Sequence, residues 1–170
     1  MNTFDAILKR RSIRTYKNKE IPKKALEKIL KAAMYAPSAH NEQPWHFIVL
    51  EQKDLLKKMA SICPYAKMAE NAPLGIIVCA DMNLIKTENF WPQDCAAATM
   101  NLLLSAEEHQ IGSVWTAVYP KTDIITGIKD LFDLPNEIIP FSFVLFGYPD
   151  KQSQMPEDRY KLERIHMNIW

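Results

Sequence analysis

The sequence predicts a protein of mixed helices and strands, of the α/β or α+β class, on three observations. Apolar stripes at helical spacing alternate along the chain with short β-branched and aromatic runs. Prolines and short polar stretches punctuate these segments at intervals suited to elements of ordinary length. The chain has 170 residues, 48% of them apolar and 24% charged, enough for one domain spanning 1–170 with a core that needs no staples.

Taken in order, residues 2–9 place Phe4, Ile7 and Leu8 at helical spacing, with Thr3 read as the cap. Pro22 opens a second helix whose stripe of Ala25, Leu26, Ile29, Leu30 and Ala33 ends before Pro37. Residues 37–44 are loop, and Trp45–Leu50 follows as a strand. A short helix is expected over 53–60 and a buried strand over 74–80. The longest helix runs from about 89 to 110, with Pro92 in its first turn. Small residues cover much of its surface, so it should pack closely on most sides, and Gly112 is read as its stop. A strand over 113–119, a helix over Thr122–Phe132 and a strong strand over 140–148 complete the pattern. From Pro149 the chain turns polar, yet it ends in an alternating apolar segment, 165–170. Such a tail has to dock, as a strand on a sheet edge of its own subunit or of a partner.

Composition excludes several classes. A net charge of +1 offers no global field for nucleic acid or an anionic membrane. The N-terminus lacks the pattern of a secretory signal, and the apolar runs fall short of the roughly 18 residues that span a bilayer, so a cytoplasmic protein is expected. Cys63, Cys79 and Cys95 are widely spaced and read as buried, inert thiols. His40, His46, His109 and His166 lack metal-ligand spacing, so no metal is expected, and His109 reads as a helix-dipole partner. No glycine-rich phosphate loop of the Rossmann or P-loop kind occurs.

Three segments stand out. Lys9, Arg10, Arg11 and Arg14 crowd four cations into six residues around Ser12. Guanidinium groups there suit a phosphate, because they are permanently charged and bidentate, although a solvated helix end fits the segment equally well by itself. Residues 37–45 bracket Ser38, Ala39, Asn41 and Gln43 between prolines, offering neutral donors and acceptors to a ligand edge such as an isoalloxazine; capped turns are the plainer reading. Residues 112–117 form a strand of small residues beside Trp115, which alone reads as core, and Arg159 lies in the polar linker.

Together, RRSIRTY (10–16), APSAHNEQPWHF (36–47), WPQDCAAATMNLLLSAEEHQIGSVWT (91–116) and FGYP (146–149) with a later arginine resemble the nitroreductase family, in that family's order and over nearly the whole chain. The resemblance implies an α+β fold: a mixed, mainly antiparallel sheet flanked by helices, in a homodimer whose C-terminal extension (150–170) adds as a strand to the partner. It implies two FMN molecules at the dimer interface. Arg10, Arg11, Ser12 and Arg14 would reach the phosphate, ribityl and pyrimidine end, with Arg159 as a further phosphate cation. Pro37, Ser38, Ala39 and Asn41 would come from the other subunit to line the ring, with Gln43 matching the motif. Trp115, Thr116 and Ala117 would meet the ring through backbone groups.

The chemistry implied is hydride transfer from NADH or NADPH to flavin N5 and onward to small-molecule acceptors, nitroaromatics or quinones, by a ping-pong mechanism. No side chain need act as nucleophile, and Arg14 would give electrostatic support near N1 and O2. Residues 81–90 leave little room for an added lid, so an open pocket edged by Tyr65, Phe90 or Trp91 is expected. Rival readings are a flavin, enone or dehalogenating reductase on the same fold, a non-catalytic FMN-binding redox protein, and a small phosphate- or nucleic-acid-binding module.

Overall fold

The uninterrupted apolar run at 74–80 becomes the centre of the sheet, because only a strand covered on both faces can hide every one of its side chains. The computed structural model describes residues 2–151 and 156–170. Its elements are α1 (Thr3–Lys9), α2 (Lys23–Met34), β1 (Trp45–Leu50), α3 (Lys53–Ile62), β2 (Leu74–Asp81), α4 (Trp91–Glu108), β3 (Gly112–Ala117), α5 (Thr122–Phe132) and β4 (Ile138–Gly147), with short 3-10 turns between several of them. The strands form one sheet in the order β1-β2-β4-β3, antiparallel at every pairing. The parallel component reduces to one isolated bridge, Ser12 to Ser113.

Alternation along the two central strands feeds two cores. Ile76, Val78, Val144 and Phe146 face α2 and α4; Ile77, Cys79, Phe143 and Leu145 face α3 and α5. Phe143 and Phe146 are fully buried on opposite faces, each contributing about 1.5–3 kcal/mol through removal from water. Pro140 lies in a central strand, where its missing N–H would break a ladder. The register shifts between Val78 and Cys79 at this point, so the proline falls at a bulge.

Most elements follow the sequence pattern, and four details differ. The cap of α1 is Asn2, not Thr3: its side chain accepts from the Asp5 N–H at 2.8 Å. The long helix stops at Glu108, with His109 at its C-cap and Gln110 left-handed at φ 58°. Gly112 instead opens β3, where a Cβ would stand 2.8 Å from the Ile13 side chain; it is a glycine of close approach, not a helix stop. Finally, the alternating tail forms no strand among the described residues. Residues 157–170 are exposed, and Trp170 retains 98% of its surface. Alternation reports a face that wants burial, but within this chain no sheet edge receives it.

Candidate functional site

The basic segment leaves α1 in extended form and is fixed along the start of β3. The Ile13 N–H donates to the Ser113 carbonyl at 2.9 Å, and the Tyr16 hydroxyl donates to the Ile13 carbonyl at 2.6 Å. Burial raises the Tyr16 pKa above that of a free phenol, so this donor keeps its proton. Arg11 turns one guanidinium nitrogen, Nη1, onto the Arg10 carbonyl. Its other nitrogen, Nη2, is buried without a hydrogen-bond partner among the described residues. Desolvation, then the charges of Arg159 and Arg10, lower its hold on its proton, while Glu107 opposes them. Arg159, some 150 residues away in sequence, therefore belongs to the same field as Arg10 and Arg11.

A buried, unsatisfied guanidinium donor among like charges is costly unless an anion completes it. Ser12 and Arg14 are exposed beside it; Arg14 Nη1 reaches the Ser12 carbonyl only at 3.5 Å. Such a set of permanently charged donors has the chemistry to receive an anion.

From this corner β3 runs as an edge strand. Ser113 turns its carbonyl outward to Ile13, so by the two-residue alternation of a strand Trp115 and Ala117 also turn backbone groups away from β4. The Thr116 hydroxyl donates inward to the Phe143 carbonyl at 2.7 Å, which commits its one proton to the sheet. Trp115 and Tyr119 lie half-exposed on the α4 side, and Phe141 touches both rings. Of the aromatics expected to edge a pocket, Trp91 is instead buried, 4.6 Å from the Tyr119 ring centroid and edge-on to it. Tyr65 is exposed beneath the Lys121 ammonium, and Phe90 is exposed at the N-cap of α4.

The proline-bracketed loop lies elsewhere. His40, Asn41 and Gln43 all take left-handed backbone, with φ of 50°, 56° and 50°. Three such residues within four positions are strained, and persist only where the surroundings over-determine them. Here the Ser38 hydroxyl accepts from the Gln43 N–H at 3.0 Å, and Gln43 Nε2 donates to Asn41 Oδ1 at 2.8 Å. Two carboxylates tie the loop to its neighbours: Asp94 Oδ1 accepts from the Ala39 N–H, and Glu42 Oε1 from the Thr87 N–H. Pro37 is exposed where the loop leaves α2.

The structure thus joins Arg10, Arg11, Ser12, Arg14 and Arg159 with the strand residues Trp115, Thr116 and Ala117. It holds Pro37, Ser38, Ala39, Asn41 and Gln43 apart from the basic residues, at the other end of α4. Glu107, which feels Lys9, Arg10 and Arg11, and Asp94, which holds the loop, mark two ends of α4. At about 1.5 Å per residue these ends stand roughly 20 Å apart. The loop leads into β1, at the opposite sheet edge from β3, but it is tied to the opening turn of α4 through Asp94. Sequence reasoning missed Asp94, Glu42, Glu107 and Tyr119; the one signal for Asp94 was a lone acid in an alanine- and cysteine-rich helix. Among the described residues no cluster of three or more metal-ligating side chains occurs, and no helix is long and apolar enough to cross a membrane.

Comparison with known proteins gives a consistent result. The family model described as "Nitroreductase family" matches residues 7–64 and 63–148. A Methanothermobacter thermautotrophicus protein, provisionally named NADH dehydrogenase/NAD(P)H nitroreductase, is 45% identical over 100% of this chain and 88% of its own. A crystal structure from Parabacteroides distasonis, provisionally named in the same words, superposes with a TM-score of 0.93 at 38% identity, covering 100% of both chains. An FMN-dependent nitroreductase of Clostridium difficile superposes with a TM-score of 0.91 at 30% identity, over 98% of this chain and 99% of its own.

Proposed function

The chain belongs to the nitroreductase family, and on that premise we propose that it is an FMN-dependent, NAD(P)H-using oxidoreductase working as a homodimer. FMN, when bound, supplies hydride acceptance from NAD(P)H and hydride delivery to a nitroaromatic, quinone or similar acceptor, the two partners alternating in ping-pong fashion. The observation that carries the reading is the buried, unpartnered Nη2 of Arg11 in a corner made of cations. Arg10, Arg11, Ser12 and Arg159 bind the phosphate there, and the outward backbone of Trp115 and Ala117 orients the ring along β3. Arg14 places a permanent positive charge at the pyrimidine end.

The polar loop serves a second copy of the chain. Within one chain it stands roughly 20 Å along α4 from the basic corner, and a site that uses both draws them from two protomers. A two-fold axis then forms two such sites at once. The exposed apolar tail (Leu162, Ile165, Met167, Ile169 and Trp170) docks on that partner, which removes a large apolar surface from water.

Anaerobic titration tests the chemistry. The purified protein is expected to carry a flavin spectrum that NADH or NADPH bleaches and a quinone or nitroaromatic restores. Complementation tests the shared site. An Arg11→Ala/Arg14→Ala chain and an Ala39→Pro/Asn41→Ala chain, each poor in activity, should recover about a quarter of the parental activity when mixed and reassociated, because each mixed dimer holds one intact site. No recovery would overturn sharing between subunits.

A further inference from the structure

Asp94 is 94% buried at the close of the first turn of α4, in a helix otherwise packed with alanine, cysteine and leucine. A carboxylate in such surroundings is expensive and has to be put to use. Oδ1 is hydrogen-bonded to the Ala39 N–H at 3.0 Å, across 55 positions of sequence. Oδ2 is buried with no partner among the described residues. One turn earlier on the same helix, Trp91 packs edge-on to Tyr119 and against Phe141, at the end of the β3 wall. The opening turns of α4 therefore hold two candidate surfaces at once, the strained loop through Asp94 and the strand wall through Trp91.

We propose that Asp94 is a positioning residue for the ligand-lining loop. Its Oδ1 fixes the Ala39 amide and so sets where Ser38, Asn41 and Gln43 present their polar groups. The inference rests on the flavin reading for its catalytic consequence, but the anchoring itself does not depend on it. Three left-handed residues follow the anchored amide, so its release removes one of the bonds that over-determine their conformations. Glu42 transmits the position onward, since its bond to the Thr87 N–H carries residues 82–90 with the loop.

The test uses the full-length protein with Asp94→Leu, which removes the acceptor, Asp94→Asn, which keeps a carbonyl oxygen for the Ala39 N–H, and Ala39→Pro, which removes the donor and leaves Asp94 in place. Proline suits position 39, the first of a short helical turn preceded by an extended Ser38. Amide hydrogen exchange over residues 38–43 should accelerate about tenfold in Asp94→Leu and remain near parental in Asp94→Asn. In flavin-loaded protein the same Leu variant, and Ala39→Pro, should shift the visible flavin band and slow anaerobic bleaching by NAD(P)H about tenfold, with Asn close to parental. An Asn variant as damaged as Leu would overturn the proposal, as would a Leu variant with unchanged exchange, spectrum and bleaching despite a lower Tm. Should Asp94→Leu fail to fold, Ala39→Pro decides by the same readouts. If the parent protein takes up no flavin, the flavin reading fails, while the exchange arm still decides whether Asp94 holds the loop.

Discussion

At the start of β3 the chain gathers Lys9, Arg10, Arg11, Arg14 and Arg159; at the far end of α4 it presents Ser38, Asn41 and Gln43 between two prolines. The first corner carries net charge and a buried donor without a hydrogen-bond partner among the described residues. Its backbone is relaxed, held by ordinary pairing to Ser113 and by the Tyr16 hydroxyl. The second carries neutral groups whose backbone is strained and held by two carboxylates. One corner stores electrostatic cost that a bound anion would relieve; the other stores conformational cost that the scaffold has already met. A phosphate calls for the first, since charge-assisted donors bind its oxygens about twice as strongly as neutral ones do. A planar heterocycle calls for the second, since neutral hydrogen bonds discriminate only when their directions are fixed.

The largest effect that could break this contrast is on cofactor retention. Arg11→Ala removes a charge-assisted donor worth about 1.5–3 kcal/mol, so FMN affinity should fall by about 10- to 100-fold, and Arg10→Ala should follow it. Asn41→Ala loses a neutral contact worth about 1 kcal/mol and should cost about fivefold. Lys9→Ala, on an exposed side chain, should change little. Fluorescence titration at two salt concentrations measures all four. The arginine variants should lose part of the salt dependence and Asn41→Ala should keep it. Equal losses at both corners would erase the distinction between them.

This contrast also accounts for what the sequence made legible. β1 and α5 match expectation to the residue, because Pro44 and the helical stripe at 122–132 act locally. The end of α4 was misplaced because a glycine can mark a helix stop or a close approach, and only the fold brings Ile13 against Gly112. The basic corner could be read because charge is visible in composition: cations that crowd in sequence must be answered in space. The loop's polar residues were legible, but not what holds them. Asp94 and Glu42 act across 55 and 45 positions, and Asp94 looks like an interruption of an apolar helix until Ala39 is seen beside it. The alternating tail was legible as a surface needing cover, and among the described residues no strand or helix of the chain covers it.

A smaller effect sharpens the electrostatic side. Glu107 is half-buried against Lys9, Arg10 and Arg11, and desolvation raises its pKa although all three cations lower it. A carboxyl raised on folding contributes stability that is complete below its ordinary range and is lost as the pH rises through the raised value. At neutral pH its ionised form therefore works against the fold and dilutes the field offered to a phosphate. Glu107→Gln should raise stability by a few tenths of a kcal/mol, roughly, and tighten FMN two- to fivefold at pH 7, roughly. Both differences should shrink as the pH falls into the carboxylate range. Parallel melting and binding curves between pH 4 and pH 8 check the sign. A Gln variant less stable than the parent at pH 7, with the deficit closing on acidification, would show that Glu107 supports the cluster as an ion pair.

The smallest effect concerns strain in the loop, and it separates residues that use a left-handed backbone from one that only occupies it. Asn41 and Gln43 bond to each other through their side chains, so glycine at either position trades steric relief for a lost hydrogen bond. His40 is exposed, and its imidazole makes no hydrogen bond among the described residues. A side chain at φ 50° costs about 1–2 kcal/mol. Glycine removes that cost but adds about 0.5–1 kcal/mol of unfolded-state freedom. His40→Gly should therefore raise stability by about 0.5 kcal/mol, and Asn41→Gly should lower it by a similar amount, both read from denaturant midpoints at constant m. If His40→Gly lost stability instead, the imidazole would itself be holding the loop. If it gained stability but lost turnover with flavin bound, the strain at position 40 would be retained for where it points the imidazole rather than for the fold.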